Sequence, residues 1–180
     1  MNLVLIGYRG TGKSVLGDRL RERLRMPVCH MDERLEERFG ETIPAFVRKH
    51  GWEVFREEER LLVEEVSQWD GVIIDAGGGV VTRDDNIRDL RRNGFIVWLQ
   101  ASPQTIAKRI AHDPHRPSLT GVKSSVDEIV EVLEARRPKY EAAADFTLQT
   151  DIDSHDECVN RILAAWRAKH ETLETTGSEI

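Results

Sequence analysis

Short apolar runs alternate along the chain with longer amphipathic stretches. NLVLI (2–6), PVCHM (27–31), VIID (72–75), FIVWL (95–99) and DFTLQ (145–149) are strand-length blocks with little polar interruption. Between them lie segments with helical spacing, such as Val15, Leu16, Leu20 and Leu24 in VLGDRLRERL. Apolar strands separated by helices predict an α/β fold, with five parallel strands covered by helices on both faces. The connection over 32–70 is too long for a plain crossover. With glycines at 40 and 51 it predicts several short helices, forming an insertion over about 32–62. A second irregular patch, HDPHRPSLTGVKSS (112–125), combines two prolines, a glycine and basic residues, and predicts a loop over something, at about 112–124. The stretch 171–180 has little apolar content and is expected to fray, which leaves one domain over 1–170.

A chain of 180 residues suits a single domain with one sizeable core. Its apolar runs are far shorter than the ~20 residues of a membrane span. MNLVLIGYRG has neither a basic leader region nor a small-residue cleavage site, so no export signal is expected. The 26 Lys and Arg against 32 Asp and Glu give a net charge of −6, which excludes a global basic field for nucleic acid. The two cysteines, Cys29 and Cys158, lack paired spacing, so neither a disulfide framework nor a structural zinc site is expected. These features predict a soluble, cytoplasmic monomer without a membrane or nucleic-acid partner.

Two stretches carry chemistry. GYRGTGKS (7–14) matches G-x-x-x-x-G-K-[ST] at every fixed position and stands between a strand and a helix, where a phosphate cradle belongs. Its glycines let backbone N–H groups turn inward toward phosphate, assisted by the helix N-terminus. Lys13 is placed to reach the β- and γ-phosphates, and the Ser14 hydroxyl to ligate Mg²⁺. Nucleotide contacts are expected from Gly10, Thr11, Gly12, Lys13, Ser14 and Val15. The second stretch, VIIDAGGGVV (72–81), runs from a strand into a carboxylate, Asp75, and then three glycines. Held glycines are entropically unfavourable, so this loop needs a reason for them.

GYRGTGKS, MDERLEERFG, FREEE, GGGVV, HRPSL and RRPKY occur in this order over roughly residues 1 to 150. In that set the chain resembles the shikimate kinase family, P-loop enzymes similar in fold to nucleoside monophosphate kinases. The resemblance implies a three-layer sandwich with an acceptor-binding insertion and a lid. It also implies transfer of the γ-phosphate of ATP to the 3-hydroxyl of shikimate with Mg²⁺, in aromatic amino acid biosynthesis. By resemblance, Arg56 and Arg136 clamp the substrate carboxylate, a task suited to a guanidinium fork, with Arg137 as the rival of Arg136. Asp32 orients the attacking hydroxyl or takes its proton. Gly77, Gly78 and Gly79 offer backbone to the substrate. Arg116 in the lid swings onto the transferring phosphoryl group, and Arg109 covers the adenine. Lys13, Asp32 and Arg116 are thus the implied catalytic residues.

The chain departs from the family pattern at one place. Where an Asp-x-Asp is usual after the second strand, it reads His30-Met31-Asp32, and two positions before the glycines it carries Asp75. One reading moves the metal-side carboxylate from the second strand to the third, with Asp75 acting through water. The other pairs Asp75 with a lysine or arginine and leaves His30 as a satisfied strand-end histidine. The alternatives to shikimate phosphorylation are a kinase for another small hydroxylated acceptor, such as a gluconate-type acid or a nucleoside monophosphate, and a nucleotide-binding module without turnover.

Overall fold

The computed structural model describes residues 1–111 and 126–177, with side chains described to residue 172. Five strands, β1 (Asn2–Ile6), β2 (Val28–His30), β3 (Ile73–Asp75), β4 (Gly94–Gln100) and β5 (Phe146–Gln149), form one parallel sheet in the order β2-β3-β1-β4-β5. The described helices are α1 (Lys13–Leu24), α2 (Met31–Phe39), α3 (Ile43–Val66), α4 (Asp84–Arg92), α5 (Pro103–Ile110), α6 (Val126–Ala143) and α7 (His155–Gly177). The helical backbone of α7 continues into the stretch expected to fray.

The central strands β1, β3 and β4 are mostly apolar because each face meets a helical layer, whereas the edge strand β5 fully buries only Leu148. Val4, Ile6, Ile74, Ile96 and Trp98 pack with Leu35 of α2, Phe55, Leu62 and Val63 of α3, and Tyr140 of α6. Their neighbours Leu3, Leu5, Ile73, Phe95 and Val97 pack on the opposite side with Leu16 and Leu20 of α1 and Val159 and Ile162 of α7. Alternation of side chains along a strand puts these sets on opposite faces. Cys29 and Cys158 are buried, and burial pushes the Cys29 thiol up to about 11, so it behaves as a small hydrophobe.

The long connection between β2 and β3 is built from α2 and α3. α2 stops at Gly40; Thr42 caps α3, its side chain accepting from the Ala45 N–H, and Pro44 follows in the first turn. Within α3, Gly51 has φ 84° and ψ 167°, a backbone open to glycine, and divides the helix into two arms. The second arm is fastened to α4 by Arg60, which reaches Asn86 at 3.3 Å and Glu64 at 2.9 Å and also pairs with the buried Asp89. Truncating Arg60 strands that carboxylate. Arg60→Ala should destabilise the fold by about 2–3 kcal/mol, less than a fully isolated buried pair because Arg88 and Arg92 also touch Asp89. Urea unfolding measures this directly. Among the described residues no helix is long and apolar enough to cross a membrane.

Candidate active site

The loops following β1, β2 and β3 meet at the carboxyl edge of the sheet, the usual place for ligands in an open α/β sheet. After β1, Gly12 takes φ 95° and leads into α1, which starts at Lys13. Lys13 Nζ donates to the carbonyls of Gly7 and Tyr8 at 3.0 and 3.3 Å, and Thr11 Oγ1 donates to Tyr8 O at 2.7 Å. The cradle is held from outside by Thr150, whose hydroxyl donates to Thr11 O at 2.8 Å, and by Arg109, which donates to Gly10 O at 3.1 Å and Thr150 O at 2.9 Å. Gly10, Gly12, Lys13, Ser14, Val15, His30, Asp32, Asp75 and Arg109 line one cavity of about 180 Å³. Most of the expected nucleotide residues are therefore assembled around one space, whereas Thr11 is buried and borders a neighbouring cavity.

Beside this cavity lies a cluster drawn from three segments, α3, the glycine loop and α6. Arg56 pairs with Glu59 at 2.7 Å and its guanidinium lies over the rings of Trp52 and Phe55. Glu59 is buried, and burial pushes its carboxyl above the ordinary range, against the pull of Arg56. Arg136 donates to Gly78 O at 2.9 Å, and Tyr140, one helical turn later, donates to the same oxygen at 2.6 Å. Arg137 faces away and lines a separate cavity with Trp98, Gln100 and Gln149.

The triple glycine now has a steric explanation. A Cβ on Gly77 would lie 2.7 Å from Glu59 Oε1 and 3.0 Å from Asp32 Oδ1. One on Gly79 would overlap the Arg56 guanidinium, and one on Gly78 would press on the cradle, 3.3 Å from Arg9 N. Three side chains and the phosphate loop close over this backbone, and only glycine leaves them room.

Asp75 ends β3 in register with His30 at the end of β2. Its Oδ2 accepts from Ser14 Oγ at 2.7 Å and meets His30 Nδ1 at 2.9 Å, so its partners are a serine and a histidine rather than the lysine or arginine that one sequence reading supposed. His30 Nε2 lies 3.3 Å from Asp18 Oδ1. The hydrogen bond to Asp75 lifts the His30 pKa from 6.5 to about 9, overcoming the opposing effect of burial. A histidine raised in the folded state stabilises most below its unfolded pKa, and that contribution fades as pH rises through the folded value. Unfolding free energy should therefore fall between pH 6.5 and 9, and the slope should flatten in His30→Asn, as chemical denaturation across that window will show.

Arg116 and the expected lid lie outside the described residues. Two residues of the cluster were missed in the sequence. Glu59 had a signal: it falls on the α3 stripe of Phe55, Leu62, Val63 and Val66, where a carboxylate has no place without a partner. Tyr140 had its place in RRPKY, one turn beyond Arg136.

Residues 9–167 match the family model described as Shikimate kinase. The chain is 34% identical over 162 residues to the shikimate kinase of Enterococcus faecalis, covering 90% of this chain and 96% of that protein. It is 36% identical over 168 residues to that of Caldicellulosiruptor saccharolyticus, covering 93% and 96%. Among solved structures, shikimate kinase from Acinetobacter baumannii in complex with shikimate superposes with a TM-score of 0.88 at 27% identity, covering 93% of each chain. A family match across nearly the whole chain, joined to a phosphate cradle that shares its rim with an arginine-lined cluster, shows that this chain belongs to the shikimate kinase family.

Proposed function

We propose that this chain transfers the γ-phosphoryl group of ATP to the 3-hydroxyl of shikimate, with these two small molecules as its partners and Mg²⁺ as its cofactor. The observation that carries the reading is the position of Asp32. It lines the phosphate cavity, and its carboxylate lies against the Gly77 backbone, next to the cluster of Glu59, Arg56 and Arg136. A hydroxyl held there has the nucleotide on one side and guanidinium groups for its ring carboxylate on the other.

Each residue then has a task. The cradle from Gly10 to Val15 holds the phosphates, Lys13 balances their charge, and Arg109 covers the base. Arg56 and Arg136 clamp the carboxylate, the loop Gly77–Gly79 lies along the ring, and Asp32 orients the attacking hydroxyl and accepts its proton. Arg116 is the residue we assign to the transferring phosphoryl group. The Ser14 hydroxyl and, through water, the Asp75 carboxylate are oxygen donors on the phosphate cavity, which suits Mg²⁺. Among the described residues no three-residue His, Cys, Asp or Glu cluster encloses a metal, as fits an ion shared with substrate phosphates. When bound, the ion offsets charge on the β- and γ-phosphates. We take the chain to act as a cytoplasmic monomer; its excess of acidic over basic residues argues against a nucleic-acid partner.

Coupled measurement of ADP release from Mg·ATP tests the reading. Shikimate should start turnover, while gluconate and nucleoside monophosphates should not. A shikimate-independent rate, or preference for another acceptor, overturns it.

A further inference from the structure

We infer that His30 is a positioning residue for the metal side of this site: it fixes the Asp75 carboxylate that accepts the hydrogen bond of the Ser14 hydroxyl, and so aims the Ser14 oxygen into the phosphate cavity. This rests on the reading of Ser14 and Asp75 as the metal-side pair.

The geometry is a closed chain across three elements. Ser14 and Asp18 stand four residues apart on α1 and so share a helix face. His30 leaves the end of β2 directly opposite Asp75 on β3. Its ring bridges them, with Nδ1 at 2.9 Å from Asp75 and Nε2 at 3.3 Å from Asp18, and it lies against Gly17, where a Cβ would sit 3.7 Å from the ring. The imidazole is therefore held at both nitrogens and along one edge.

What this achieves follows from hydrogen-bond capacity. A serine hydroxyl has one proton and two lone pairs. Giving that proton to Asp75 at 2.7 Å leaves the lone pairs for a cation in the cavity that Ser14 lines with Gly12 and Lys13. An aspartate turns about two side-chain bonds, and Ser14 alone would not hold it. A second donor on the same oxygen, coming from another strand, fixes the direction of the Ser14 O–H bond. Outer partners of this kind typically change metal affinity by roughly 10–100-fold.

Calorimetric titration of ADP with and without Mg²⁺ tests the inference on the whole protein, because the ratio of the two affinities reports the metal's contribution without turnover. His30→Ala should reduce that ratio by about 10-fold or more, with metal-free ADP binding nearly unchanged. His30→Asn, whose amide returns a donor near the place of Nδ1, should recover most of it. His30→Gln, which places its donor near Nε2, should not. Equal losses with and without Mg²⁺, or a full ratio in His30→Ala, overturn the positioning role. Should His30→Ala fail to fold, the contrast between the Asn and Gln variants carries the same decision. Asp75→Asn run in parallel separates the two levels. If it lowers the ratio while His30→Ala does not, the role of His30 alone is rejected; if neither lowers it, the metal-side reading of Asp75 is rejected too.

Discussion

Asp32→Asn is expected to lower kcat about 100- to 10,000-fold, the range for removing a positioned general base. The substitution is nearly isosteric, so the neighbourhood should keep its shape. Asn can still occupy the first turn of α2 and approach Gly77, but its amide cannot take a proton from the acceptor hydroxyl. The structural effect is small, since a carboxylate in a first helical turn contributes about 0.3–1 kcal/mol. ATP affinity should change little because the cradle is stapled independently by Thr150 and Arg109. The expected signature is a collapse in kcat with the melting temperature within a few degrees of the parent. A variant retaining more than a tenth of kcat would show that Asp32 only orients its substrate, and proton removal would need another acceptor.

The strands, the cradle and the departure at His30 were legible because their signals are local. An apolar run and a P-loop declare themselves within eight residues. The pairing of His30 with Asp75 was not, because it depends on the β2–β3 register, which neither strand encodes by itself. Positions 30 and 75 both looked anomalous in the sequence, and the structure shows one arrangement accounting for both. The choice between Arg136 and Arg137 stayed open because Pro138 follows and a proline ordinarily disrupts a helix interior. α6 nevertheless runs through Pro138 to Ala143. Helical phase therefore applies, and Arg136 shares its face with Tyr140, both of them on Gly78 O. The nearest atoms around a Cβ at Gly77 and Gly79 belong to the side chains of Glu59, Asp32 and Arg56. Those contacts join segments about 20 to 45 positions apart, so their need for glycine could not be read from the loop.

This crowding predicts an unusual result for Gly79→Ala: affinity for shikimate should be lost without loss of the fold. Gly79 has φ −102° and ψ 0°, a conformation open to alanine. The new methyl meets no backbone among its nearest atoms, only the Arg56 guanidinium at the end of a flexible side chain. Displacing it breaks the pair with Glu59 and the stacking on Trp52 and Phe55, and moves one arm of the carboxylate clamp. A hydrogen bond to a charged group contributes about 1.5–3 kcal/mol, so KM for shikimate should rise roughly 10- to 150-fold. Alanine in a compatible conformation also restricts the unfolded chain by about 0.4–1 kcal/mol, which offsets part of the cost of lost packing and of a buried Glu59 carboxyl left with Arg136 as its nearby cation. Gly78→Ala should fail differently, because its methyl presses on backbone atoms of the cradle, 3.3 Å from Arg9 N and 3.5 Å from Gly7 O, and so should weaken ATP binding. Steady-state kinetics with each substrate varied in turn separate the two outcomes. If Gly79→Ala keeps its KM for shikimate, Arg56 is not a clamp, and the guanidinium over that glycine only balances the buried charge of Glu59.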